Sequence, residues 1–197
     1  MFRTIKMGMS RILVELLPFV LLALGAVSAI HLYNNLIRAR FRTREAWSGI
    51  EVQLKRRSSL IPNLVEIVRG YATHEHQVFA EVSQARGALA KASAPQAMMA
   101  ADQSLTQALG RLMVVAEAYP QLQAAGNFAQ LQRELADTEE KIAYARQFCN
   151  LNVLAYNTSI QSFPGNMAAR WFHFEPVVFF AADEAAAEDV KISFTAA

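Results

Sequence analysis

Apolar residues recur at alternating intervals of three and four through Trp47, Ile50, Leu54, Arg57, Ile61, Leu64, Val68, Tyr71, Glu75, Val78, Val82, Ala85 and Leu89, and only Arg57 and Glu75 on that line are charged. This spacing is that of a helix buried along one side. Pro62 interrupts the line, and a straight helix through a proline loses roughly 3 kcal/mol. The phase nevertheless continues beyond it, and no glycine stands nearby to make a tight reversal. The pattern predicts one long helix from Trp47 to near Ala92, kinked at Ser58–Pro62, with a hairpin there as the alternative.

A turn at Ser93 and Pro95 opens a second helix, whose seam is Leu105, Ala108, Leu112, Val115 and Tyr119 and which Pro120 stops. Asn127, with Gln130 three residues on, reads as the capping box of a third helix. Its seam is Phe128, Leu131, Leu135, Thr138, Ile142, Ala145, Cys149, Asn152, Tyr156, Ser159 and Phe163, ending at Pro164-Gly165-Asn166. No strand alternation competes. The expectation is an all-α chain: an N-terminal transmembrane helix, then an elongated antiparallel bundle of three to four long helices, the longest about 50–65 Å at about 1.5 Å per residue.

Ile12–Leu32 is almost wholly apolar apart from Glu15. A helix of that length covers the roughly 30 Å of a bilayer core. No clear small-residue cleavage site follows it, so retention as an anchor is expected rather than removal as a signal peptide. The organisation expected is a tail over 1–11, a transmembrane helix over 12–32, a bundle over 33–163 and an aromatic and acidic segment over 164–197. Trp171, Phe172, Phe174, Phe179 and Phe180 are expected to pack that last segment on the bundle, with a short helix over Ala181–Asp189 and an extended end at VKISF. The acidic cluster Asp183, Glu184, Glu188 and Asp189 reads as a solvated face.

A composition of 53% apolar and 18% charged residues fits a folded chain. The distribution of charge is more informative than its total. Residues 1–57 hold ten Lys/Arg against three acids, whereas residues 127–197 hold five against nine. Arg38, Arg40, Arg42 and Arg44 follow the apolar helix, outnumbering Arg3, Lys6 and Arg11 before it, which points to a bundle on the cytoplasmic side of the membrane. The arginines read first as this topology signal and second as a lipid contact. Lys55-Arg56-Arg57 is too short and too poor in aromatic neighbours for nucleic acid.

No glutamate is followed three residues later by histidine, His74-Glu75 lacks the second histidine of a zinc protease, and no phosphate loop or dinucleotide fingerprint occurs. Neither metal nor cofactor is expected. Cys149 is the single cysteine, on an apolar seam, and reads as a packing residue. What remains is a set of polar residues in otherwise buried blocks: Asn63, Glu75, Glu117, Glu139, Asn152 and Asn157. They read as register-fixing polar core residues, with a ligand cluster as the alternative.

AWSGIEVQLKRR, LIPNLVEIVRGYATHE, VVAEAYPQL, TEEKIAYAR and YNTSIQSFP closely resemble blocks of the LemA family of bacterial membrane-anchored helical proteins, from about Tyr33 onward. The chain departs from the family pattern at Ser59, where Asp is usual, and at Cys149, where Tyr is usual. The resemblance implies one N-terminal membrane helix, an α-helical bundle and no general enzymatic activity. The function expected is therefore a non-enzymatic interaction or scaffold module at a membrane, with unknown protein partners or self-association. Two alternatives stand beside it: a hydrolase or metal-dependent enzyme using Glu75, Glu117, Glu139 and His74, and a membrane-remodelling protein.

Overall fold

A computed structural model describes the backbone of residues 2–180 and the side chains of residues 16–180. All regular structure there is helical: α1 Phe2–Tyr71, α2 His76–Lys91, α3 Pro95–Glu117, α4 Pro120–Gln123, α5 Gly126–Gln161 and α6 Gly165–Trp171. The expected short helix over Ala181–Asp189 and the VKISF end lie outside the described residues. The chain divides into two compact units, Met1–Glu45 with Leu151–Val178, and Ala46–Asn150 with Phe179–Ala197. Both α1 and α5 contribute residues to each.

In the second unit α1 continues helically through Pro62, as one helix and not a hairpin there. The reversal comes later. Ala72–Glu75 leaves the helix, so the single helix expected from Trp47 to Ala92 is two helices, α1 and α2. Arg69 stacks on Phe79 with its guanidinium 5.3 Å from the ring centre, and Arg86 meets Ser58, which makes α1 and α2 antiparallel. Apolar phase alone cannot see such a turn, because both helices bury their own faces and the phase happens to carry across. Thr73 and His74, poor helix formers, are the local weakness.

α2 and α3 pack as a second antiparallel pair, tied by Arg111 Nε to Glu81 Oε2 at 3.0 Å. α5 then runs against α1, with Arg56 paired to Asp137 and Trp47 stacked on Phe180, which Asn150 holds. The core draws on the expected seams: Ile50, Leu54, Ile61, Leu64 and Val68 from α1, Val82 and Leu89 from α2, Leu105 and Leu112 from α3, and Phe128 and Ile142 from α5 are all buried, whereas Tyr71 and Phe163, expected on the same seams, are exposed at helix ends. Each such side chain contributes about 1.5–3 kcal/mol over exposure.

Helix ends differ from expectation in detail. α3 ends at Glu117, and Pro120 begins α4 instead of merely stopping α3. α5 starts at Gly126, and Asn127 Oδ1 accepts the N–H of Phe128 while Gln130 donates to Glu134, so the expected capping box is not formed. Helical backbone one residue earlier leaves Asn127 inside the first turn, where its oxygen cannot serve the cap.

In the first unit the apolar part of α1 is exposed along its whole described length, from Leu16 to Ile30. A helix this apolar with no protein covering it needs a hydrocarbon environment, and it is long enough to cross a bilayer. Among the described residues it is the one candidate membrane span. Beyond it Leu36, Tyr156, Ile160, Ala169 and Phe174 form a small core, bordered by Tyr33, Ile37 and Val177. Gly165 allows α6 to close on α5, since a Cβ there would collide with the Ser159 carbonyl. In the aromatic segment Phe174 and Phe180 are buried, each within its own unit, and Trp171 stays 81% exposed.

Candidate functional site

The one charge on the α1 seam leads to the most polar part of the interior. Arg57 is 2% exposed, which for a guanidinium is tolerable only with matched partners. Its Nη1 donates to Asp102 Oδ1 at 2.9 Å and to Thr106 Oγ1 at 3.1 Å, and its Nη2 lies 2.6 Å from Glu139 Oε1. Arg146 closes on the other oxygen of Asp102 and lays its guanidinium 4.9 Å from the Phe180 ring centre. Thr106 Oγ1 donates in turn to the Asp102 carbonyl at 3.0 Å. Arg57 Nε meets no acceptor among the described residues.

Two guanidiniums and two carboxylates from α1, α3 and α5 thus neutralise one another. Chemically the arrangement is a cross-link. Asp102, 1% exposed, gives one carboxylate oxygen to each of two arginines. Removing one partner from such a buried set costs about 3–5 kcal/mol, because it leaves a charge uncompensated.

A second polar device recurs in both units. In the first, Asn157 Nδ2 donates to the Val177 carbonyl at 2.8 Å while its Oδ1 accepts the Val177 N–H at 2.9 Å, and Tyr156 donates its hydroxyl to the Glu175 carbonyl at 2.9 Å. In the second, Asn150 holds Phe180 by the same two bonds, at 3.0 and 2.8 Å. A side-chain amide so placed satisfies both backbone groups of an extended residue that has no strand beside it. Burial pushes the Tyr156 phenol above its usual range, and it does the same to the Cys149 thiol.

The six polar candidates are placed as follows. Glu139 joins the Arg57 network and Asn157 forms a clamp. Asn63 is exposed on α1, Glu117 is exposed at the end of α3, Glu75 is half-buried in the turn before α2, and Asn152 is half-buried on α5. His74 and His76 are exposed, as are Arg38, Arg40, Arg42 and Arg44. Among the described residues no three His, Cys, Asp or Glu side chains gather in a metal-holding group. Asp102, Arg146 and Asn150 are the participants not singled out from sequence. Asp102 had a signal: it precedes Leu105 by three on the α3 seam, a carboxylate where an apolar residue belongs.

Two grooves lie along α1, one of about 300 Å³ beside Leu54, Ser59 and Met98, and one of about 390 Å³ beside Ile61, Pro62, Arg69 and Phe79. Neither lining includes a His or Cys to pair with its serines.

Among known proteins, the chain is similar to Magnetosome protein MamQ of Magnetospirillum gryphiswaldense and to Magnetosome protein MamQ 2 of Paramagnetospirillum magneticum, each 28% identical over 75% of this chain. It covers 64% of the length of either. Protein LemA of Metamycoplasma hominis is 25% identical, over 81% of this chain and 74% of its own length. These names denote no reaction. The sequence profile of the LemA family matches residues 46–194, from the start of the second unit through both Asn clamps, and the chain belongs to that family.

Proposed function

We propose that this protein is a non-enzymatic scaffold, anchored in the bacterial inner membrane by α1 and presenting its helical bundle to protein partners on the cytoplasmic side. The observation that carries the reading is the self-neutralised Arg57–Asp102–Arg146–Glu139 set, whose charges are spent on holding helices together. The relatives' names, Magnetosome protein MamQ and Protein LemA, state no reaction and support it. Exposed apolar side chains on separate helices of the second unit, Val52, Val114 and Tyr144, offer contact points of the size a partner helix uses. The arginine run Arg38–Arg44 supports the cytoplasmic side.

Mild crosslinking in intact membranes, followed by detergent extraction, tests this. Discrete crosslinked species that vanish on replacing Val114 or Tyr144 by Glu are expected. A chain that remains alone at native abundance would overturn the scaffold reading. A one-sided reporter fused after Ala197 checks the orientation separately.

A further inference from the structure

The first unit carries an apolar edge that the scaffold reading does not use. Phe163 is 79% exposed, Met167 65% and Trp171 81%. Met167 and Trp171 are four residues apart on α6, hence on one face, while Gly165 and Ala169 turn the opposite face into the small core. The edge is held in place: Phe172 stacks on Tyr33 with ring centres 4.7 Å apart, and Phe174 meets the same ring at 6.0 Å. Tyr33 is the residue immediately after the apolar Ile12–Leu32 run, and every described residue of that run up to Ile30 is exposed. Phe172, next to Trp171 in the chain, thus lies against α1 where the apolar run ends.

Charge agrees with that position. The residues of this unit whose side chains are described include Arg38, Arg40, Arg42, Arg44 and Arg170, all exposed, against Glu45 and Glu175. Tryptophan beside arginine, with an apolar body and a polar rim, is the composition found at the headgroup level of membranes.

We propose that Phe163, Met167 and Trp171 form a second membrane contact, seated in the headgroup–acyl boundary of an anionic phospholipid bilayer beside the exit of α1. The contact makes the membrane anchor two-point, so that α6 and the end of α5 are tied to the lipid surface and do not hang from a single helix.

The test uses the full chain in nanodiscs of phosphatidylglycerol and phosphatidylcholine. Trp47→Phe leaves Trp171 as the only tryptophan, read by quenchers carried at graded depths on the lipid chains. Loss of most Trp171 emission to shallow lipid-borne quenchers, with protection from aqueous iodide, is expected. Quenching by iodide and not by lipid would overturn the proposal. Protection from both would overturn it too, since a protein surface would then cover the edge. Met167→Cys labelled with an environment-sensitive dye gives an independent reading if Trp47→Phe disturbs the fold, and the same pattern must appear there. Replacing phosphatidylglycerol by phosphatidylcholine alone should reduce shallow quenching; an unchanged value would remove the arginines from the contact.

Discussion

Arg86 of α2 donates its Nε–H to the carbonyl of Ser58 on α1 at 3.0 Å, and Ser58 is the residue whose helical acceptor bond Pro62 removes. The proline is thus answered from the neighbouring helix. This bond is exposed, so Arg86→Leu should cost only about 0.5–1.5 kcal/mol. In a Pro62→Ala background the alanine N–H can serve the Ser58 carbonyl, and the same arginine change should then cost less. A double-mutant cycle by urea unfolding of the nanodisc-held chain measures the coupling. Additive effects would mean that the proline and the arginine are unrelated.

The buried charge set makes a different prediction. Arg57→Ala leaves Asp102 short of one partner in the interior and should cost about 3–5 kcal/mol. Asp102→Ala should cost a similar amount by stranding Arg57. The double variant should fall well short of the sum, because the second change removes the group that the first one orphaned. Glu139→Gln should be milder, since Glu139 is 44% exposed and water replaces part of the lost attraction. Urea midpoints of the four variants settle the ranking.

Sequence pattern alone exposed most of this fold, and the reasons it stopped are physical. Ile50, Leu54, Ile61, Leu64 and Val68 were legible because a helix repeats its buried face every three or four residues. The turn at Ala72–Glu75 was not, since it carries no glycine or proline and preserves the phase. Arg57 stood out on its seam, but its partner could be named only once the register of α3 was known. Asn157 was legible as a polar residue in a buried block, whereas Asn150, its counterpart, was not. The amide role depends on an extended segment whose path no helical periodicity encodes. Glu75 and Glu117 drew attention by lying in distinctive blocks, yet one sits in a turn and the other at an exposed helix end.

Asn157→Leu should release the segment it clamps. Two hydrogen bonds of about 0.5–1.5 kcal/mol each are lost, and the Val177 backbone is left without partners. Hydrogen exchange of the Val177 amide should accelerate far more than exchange of core amides such as Leu64. Asn157→Asp keeps the acceptor and loses the donor, so it should lie between. Equal acceleration throughout the chain would indicate general destabilisation and not a local clamp.

The pH dependence follows from Cys149 and Tyr156. Burial raises both above their ordinary values of 9.0 and 10.0, which favours the protonated forms in the folded state. The folded chain therefore holds protons that the unfolded chain has released. The stability these groups contribute is complete below about pH 9 and is lost as pH rises through their folded values. Tyr156→Phe removes the hydroxyl bond to the Glu175 carbonyl, at a cost of about 0.5–1.5 kcal/mol near neutral pH. It also removes the phenol's ionisation, so the alkaline decline should be shallower than in the parent chain. Cys149→Ser introduces a buried hydroxyl in place of a thiol and should lower stability at every pH while flattening the earlier part of the decline. Unfolding midpoints between pH 7 and the alkaline limit, compared for the three proteins, check both shapes. A Tyr156→Phe profile parallel to that of the parent would assign the decline to other groups.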